Sequence, residues 1–357
     1  MKILTKYFLK EFLKFYFTIL LALIAILLVA EFFDKVNEFY AQKPPVNLVL
    51  EYLLLQCPRF LLFASPAASL LSVLLTIGIA LKWKETIAIQ ASGGSIKKFF
   101  SSFLLIGVII SLLALLISET LIPAASKQAL LIWNTKILQR QQRITYKEGA
   151  LWLKGLDGSL VRIKDFFGDE NTALKISIFS FTPPFNLIKR IEAEEAKWIG
   201  SSKWELKDAT VFDFNKKTTT KYASMVSGSI EEPKIFKEEL RKPDEMSFVE
   251  LYTYYKRLEK AGFKNIKYLV DLYGKLAYPA VNFVMVLFGL SLVLNSRLRG
   301  GIMAAGLGLV VSLFYWLIYS ISISLGNTGT IPAWLAPWIG PVVFGIAGSV
   351  MYLRIKE

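Results

Sequence analysis

Six stretches of about twenty apolar residues constrain this chain more than anything else in it. They lie at about 12 to 33, 60 to 81, 99 to 118, 276 to 295, 302 to 325 and 334 to 353. A hydrocarbon layer of about 30 Å is crossed by roughly 20 apolar residues in helical form, and lipid offers the backbone no hydrogen-bond partners. The predicted fold is therefore a polytopic α-helical membrane protein with six transmembrane helices. Composition agrees: 54% of the residues are hydrophobic and mean hydropathy is +0.47, against about 45–50% apolar residues in soluble domains. Lys2, Lys6, Lys10 and Lys14 precede the first stretch as they would in a signal peptide. Its apolar run, however, exceeds the roughly 7–15 residues of a signal core, and no small-x-small cleavage pattern follows, so it reads as a retained helix.

Lysine and arginine in short loops set orientation. The N-terminal lysines, Lys82, Lys84, Lys97, Lys98, Arg297, Arg299, Arg354 and Lys356 fall on one side if each stretch crosses once, which predicts both termini in the cytoplasm. The other side receives residues 34 to 59, the turn SLGNTGTIPAW and one large insert. Within that insert GSLVRIKDF, KWELKDATVFDF and TTTKYASMV alternate apolar with polar residues, separated by turn signals at Gly155 to Gly158, Pro183-Pro184 and Asn215. This pattern predicts a folded all-β domain, a sandwich or jelly roll, outside the membrane. Ser247 with Glu250 then forms a capping-box pattern opening an amphipathic helix. Three regions result: 1–119 with the first three spans, 120–245 as the jellyroll-like domain, and 246–357 with connecting helices and the last three spans.

Several chemistries are disfavoured. There is no histidine and a single cysteine, Cys57, which argues against zinc sites, a disulfide framework and Ser-His or Cys-His catalysis. The excess of 42 Lys and Arg over 28 Asp and Glu admits nucleic acid, an anionic membrane surface or an anionic substrate, and the apolar spans favour the last two. Between their ends the spans lack Asp, Glu, Lys and Arg, whereas gradient-coupled transporters place such residues inside the bundle. Nor does GGSIKKFF complete a Walker A pattern. Energy for transport must then come from a partner on the cytoplasmic side.

The loop between spans two and three bears on that partner. KETIAIQASGGS, Lys84 to Ser95, is a short helix pattern with Glu85 at its positive end, a small apolar face of Ile87, Ala88 and Ala91, and Gly93-Gly94 to stop it. From periodicity alone it is either a docking helix for an ATPase or an ordinary interfacial reversal.

Glu85-x-x-Ala88-x-Gln90-Ala91-Ser92-Gly93 resembles the coupling-helix motif of the LptF/LptG (YjgP/YjgQ) permease family. The insert after span three, GALWLKG at the start of the β domain, Pro123 after Glu119, Lys275 with Pro279 leading into span four, and the late IPAWLAP also look like that family. FDKVNEFY, the Trp152 region and IPAWLAP are more similar to the LptG than to the LptF paralogue. The resemblance implies a heterodimer with the LptF-like paralogue, an LptB-like ATPase dimer that binds ATP and magnesium, an LptC-like single-span protein and an LptA-like periplasmic bridge. The substrate it implies is lipopolysaccharide, drawn from the outer leaflet of the inner membrane. No cofactor, metal or nucleic acid is implied for this chain, and a non-transporting membrane-anchored scaffold is the competing class.

The resemblance also implies site residues. Glu85, Ala88, Gln90, Ala91 and Gly93 would couple to the ATPase. Phe314, Tyr315 and Tyr319 in the aromatic fifth span would line a lateral gate and acyl-chain cavity. Glu31 stands where family members often carry a lysine, and the apolar Leu131 and Trp133 stand where basic residues are expected, so Lys35, Lys43, Lys127 and Lys136 are the substitute phosphate contacts. Either Lys35 takes over from Glu31, or Glu31 acts through a bridging divalent cation.

Overall fold

The computed structural model describes residues 2–91, 93–138, 143–145, 151–155, 157–167, 170–182, 186–200, 203–230, 232–233, 243–260, 265–296 and 300–355. Of the sequence signals above, Ser92, Gly149, Ala150, Pro183, Pro184, Arg297, Arg299 and Lys356 lie outside the described residues. The chain divides into two compact units. One comprises residues 1–129, 243–255 and 265–357; the other comprises 130–242 and 256–264.

Among the described residues, six helices are long and apolar enough to cross a membrane. In chain order the helices are α1 (Lys2–Asp34), α2 (Val36–Gln42), α3 (Val46–Lys82), α4 (Glu85–Ala91), α5 (Ile96–Phe100), α6 (Ser102–Glu119), α7 (Leu121–Leu131) with a π-helical turn Ile132–Ile137, α8 (Phe248–Lys260), α9 (Ile266–Ser296), α10 (Gly301–Asn327) and α11 (Ile339–Leu353). The near end of the bundle carries the N-terminus and α4; the far end carries Asp34, Val46, Glu119, Ile266 and Asn327. α3 and α9 form the interior. α3 packs on α1, α9 and α10, and α9 packs also on α6 and α11, with Leu70, Val73, Leu74 and Ile77 of α3 and Val281, Val286, Leu290 and Val293 of α9 fully enclosed.

Both central helices run through proline. Pro58 and Pro66 lie inside α3, Pro279 inside α9, and each removes one backbone donor. Just past Pro279, side chains supplement the ladder: Asn282 Nδ2 donates to the Pro279 carbonyl (3.1 Å), and the Phe283 N–H donates to Ser111 Oγ of α6 (3.0 Å). Ser69 of α3 in turn donates to Asn282 Oδ1 (3.1 Å). A side-chain network thus holds this part of α9 against two neighbours.

The contact between α3 and α10 changes along its length. At the near end it is made by small residues. The Gly300 N–H donates to the Gly78 carbonyl (3.3 Å), and a Cβ on Gly78 would stand 3.0 Å from Ala304 Cβ. One on Gly308 would lie 2.6 Å from Leu71 Cδ2. Further out, Ser312, Tyr315, Trp316 and Tyr319 of α10 and Phe63, Ala64 and Ala67 of α3 line a common cavity.

The second unit contains the expected antiparallel β domain between the third and fourth spans. Strands β1 (Arg143–Thr145), β2 (Leu151–Lys154), β3 (Leu160–Phe167), β4 (Thr172–Thr182), β5 (Asn186–Gly200), β6 (Lys203–Asp213) and β7 (Thr218–Ser227) form one sheet in the order β1-β3-β4-β5-β6-β7, with β2 also pairing β3. Register puts one apolar row across it, Val161 opposite Ile178, Ile178 opposite Ile191 and Ile191 opposite Val211. A second row joins Phe166, Ala173, Ala196, Leu206 and Met225. The alternation seen in GSLVRIKDF and KWELKDATVFDF is this buried face, closed by Trp204 edge-on to Trp198 (5.4 Å between centroids); in TTTKYASMV, by contrast, Tyr222 and Val226 are exposed and only Met225 packs on the core. The β2–β3 turn is fixed by Asp157, whose Oδ1 accepts the Ser159 N–H (3.0 Å) and whose Oδ2 accepts the Ser229 hydroxyl (2.7 Å). Burial pushes this carboxyl up, but the hydrogen bonds from Ser159 and Ser229 outweigh it and hold Asp157 below the usual carboxylate range.

Candidate functional site

Two places in the helical unit combine chemistry with access. The first is α4. Lys84, with φ of 57°, turns the chain out of α3, and its carbonyl accepts the N–H groups of Ile87 and Ala88 (3.1 and 3.2 Å). Glu85 therefore sits in the first turn, where a carboxylate is favoured. At the other end Gly93 takes φ of 77°. The Gly93 N–H donates to Gln90 O (2.9 Å) and the Gly94 N–H to Ile89 O (3.0 Å), a C-terminal stop that needs glycine. Thr86 and Ile89 point into the core, while Ile87, Ala88, Gln90 and Ala91 are exposed. Ile89 joins an aromatic cluster in which Phe8 stands edge-on to Phe99 and Phe100 (5.4 and 5.6 Å) and Phe12 to Phe103 (5.4 Å). One face of this short helix packs on α3 and α5; the other is exposed.

The second place is the far half of the bundle, where α10 leaves α3. A cavity of about 180 Å³ opens there between α1, α3, α9 and α10, lined by Leu23, Leu27, Phe63, Tyr278, Ser312, Tyr315, Trp316 and Tyr319 among others. A second of about 290 Å³ shares Phe63, Tyr278, Trp316 and Tyr319 with it and continues to Ser320, Ser324 and Asn327. The first is almost wholly apolar, the second more polar, so the pair changes character towards the far end. Tyr278 donates to the Phe63 carbonyl (2.9 Å) and stands edge-on to Tyr319 (5.6 Å), which stacks on Tyr315 (6.1 Å). Of the expected gate residues, Tyr315 and Tyr319 line this groove. Phe314 does not: it is 61% exposed on the outer surface of α10. Trp316 lines both cavities and was not anticipated, because helical periodicity does not say which face of an apolar helix looks inward.

Charged groups surround the far ends of the same helices. Glu31 is held by Tyr52 and Lys35: its Oε1 accepts the Tyr52 hydroxyl (2.9 Å), which in turn accepts from Gln56 Nε2 (2.9 Å), and Lys35 Nζ lies 3.7 Å from Oε1 while resting over the Tyr52 ring (5.2 Å). The Glu31 carboxylate is thus balanced by Lys35. Lys43 is exposed and caps α2 with φ of 45°. Lys127 pairs with Glu250 (3.7 Å) at the start of α8. Lys136 is exposed in the π-helical turn, in the second unit.

Arg59 was missed. The expected apolar stretch begins at residue 60, just past it, yet α3 starts at Val46 and carries Arg59 inside the helix. There its guanidinium meets Asp244 (2.7 Å) and Glu245 (3.9 Å). Lys275, 8% exposed, donates to the Asp244 carbonyl (3.4 Å). Glu119 Oε2 accepts the Phe248 N–H (2.8 Å) at the first turn of α8, whose start is closed by the expected capping box between Ser247 and Glu250 (3.0 and 3.1 Å).

Six apolar helices, an inserted antiparallel β domain and an apolar groove among the helices define a multi-pass membrane protein. The sequence model of the family described as lipopolysaccharide export system permease LptF/LptG matches residues 6–354, and the chain belongs to that family. Over 251 residues it is 26% identical to the lipopolysaccharide export system permease protein LptG of Escherichia coli K12, covering 68% of this chain and 67% of that protein. The LptG of Escherichia coli O6:H1 matches to the same extent.

Proposed function

We propose that this chain is the LptG-like subunit of an ABC-type lipopolysaccharide exporter in the bacterial inner membrane. Both termini and α4 lie in the cytoplasm and the β domain in the periplasm. An LptF-like paralogue completes the membrane cavity, and an LptB-like ATPase dimer supplies the energy and holds ATP and magnesium. Lipopolysaccharide leaves the outer leaflet through the groove beside α10 and passes to LptC-like and LptA-like carriers. LptG is preferred over LptF because the curated relatives above are LptG proteins.

The observation that carries this reading is the groove itself, apolar in mid-membrane and more polar at its far end, with Arg59 one helical turn along the second span from its lining residue Phe63. An acyl chain gains roughly 0.8 kcal/mol for each CH₂ taken from water, but in lipid that gain is already made, so an apolar groove gives passage without selection. Selection falls to phosphates, which guanidinium and ammonium groups bind by charge-assisted hydrogen bonds. α4 on the opposite end offers an anchored, one-sided docking surface, as a helix that transmits an ATPase's motion requires.

Purification of the tagged full chain tests the proposal. An ATPase subunit and a paralogous permease are expected to come with it. A photocrosslinking residue in place of Trp316 or Tyr319 is expected to capture lipopolysaccharide, with capture falling when ATP is supplied. Recovery of the chain without an ATPase, or capture of bulk phospholipid alone, overturns it.

A further inference from the structure

Arg59, the guanidinium nearest the groove mouth on α3, has its ligand positions occupied by the chain itself. Asp244 and Glu245, in the 3-10 turn Pro243–Glu245, supply the carboxylates, and Lys275 holds the same turn through the Asp244 carbonyl. A carboxylate paired with a guanidinium offers the same paired oxygens as a phosphate with less charge. The turn also has a distinctive place in the chain: it immediately follows the β domain and precedes α8. Just beyond it Met246 is buried with Leu251 and Leu272, and Glu119 fixes the Phe248 N–H. The turn is thus held by charge on one side of Met246, and α8 by apolar packing and capping on the other.

We propose that Asp244 and Glu245 are an internal stand-in for the lipid headgroup, and that a phosphate arriving at Arg59 displaces them. This rests on the reading of the chain as a lipopolysaccharide permease and adds to it a sensing step. A phosphate at Arg59 releases the 243–245 turn from the second span, while α8 stays anchored. Magnitudes favour the exchange. Arg59 and Asp244 are 34% and 51% exposed, and pairs at that exposure are weak, whereas a phosphate brings more charge and a better fit to the guanidinium fork. Masking also sets affinity: if the acidic pair covers Arg59 about nine-tenths of the time, apparent affinity is reduced roughly tenfold.

The test is hydrogen exchange and binding on the full chain in nanodiscs of three kinds: phosphatidylcholine alone, with phosphatidylglycerol, and with lipopolysaccharide. Bound ligands ordinarily slow exchange. Here the peptide spanning residues 243–247 is expected to exchange severalfold faster when a lipid whose phosphate carries uncompensated negative charge binds than in phosphatidylcholine, whose phosphate is neutralised by its own choline, with α8 unchanged, and the two anionic arms separate lipopolysaccharide from an ordinary anionic phospholipid as the trigger. The double variant Asp244→Asn, Glu245→Gln is expected to bind that lipid up to about tenfold more tightly and to show the faster exchange without ligand. Binding that leaves the 243–247 peptide unchanged or slowed overturns the stand-in while sparing the permease reading, and so does a double variant that binds no better. Absence of bound lipopolysaccharide overturns both. Should the double variant fail to fold, the wild-type exchange experiment decides alone.

Discussion

Individual residues in this protein are constrained by what stands beside them, and two make opposite predictions. Gly348 of α11 faces the backbone of α9, where a Cβ would lie 3.1 Å from Phe288 Cα and 3.2 Å from its nitrogen. Backbone cannot swing aside as a side chain can. Gly348→Val should therefore separate the two helices and cost about 1–3 kcal/mol, as overpacking does, read as a lower Tm of the detergent-solubilised chain. Asp157 concerns pH. Its folded carboxyl is held below the usual range, so its contribution is fully present above the unfolded value and is lost as pH falls through the folded one. The β domain is expected to loosen in that acid window, seen in the fluorescence of Trp198 and Trp204, and Asp157→Asn should flatten this limb of the transition. A titration curve identical for wild type and variant would exclude Asp157 as its source.

At the level of elements, α4 shows how one helix carries two jobs on two faces. Ile89→Ala removes a buried contact and should destabilise the fold by about 2–5 kcal/mol. Glu85→Ala and Gln90→Ala, in the first turn and on the exposed face, should leave the thermal transition in place while weakening ATPase copurification or lipid-stimulated hydrolysis. Equal losses from both sets in folding and in ATPase binding would contradict the division. This helix was legible in the sequence because its signals are local, with an acidic first residue and a glycine stop within a few positions. The six spans were legible for the same reason, since hydropathy is a sum over neighbours. What escaped was set by tertiary structure. α3 continues through Pro58 because packing on α1, α9 and α10 outweighs a proline's cost, and that alone puts Arg59 in a helix. The groove face of α10 escaped too: an apolar helix reveals its inner side only once its partners are placed, so Phe314 was taken with Tyr315 and Trp316 was passed over.

For the whole molecule, orientation is the first prediction to check. In a Cys57→Ser background, Tyr40→Cys, Lys164→Cys and Thr328→Cys should react with an impermeant thiol reagent in intact spheroplasts, and Gln90→Cys only after lysis. Labelling of residues 90 and 164 from the same side would refute the scheme. The glycine contact between Gly78 and Gly300 then has a mechanical meaning. It clips α3 to α10 at one end, while the groove lies at the other. Helix rises 1.5 Å per residue, so the arm from Gly300 to Asn327 is about 40 Å, and a swing of about 5° at the clip carries its tip by roughly 3–4 Å. A clothes-peg works the same way: a small push near the spring parts the jaws, and the spring itself hardly moves.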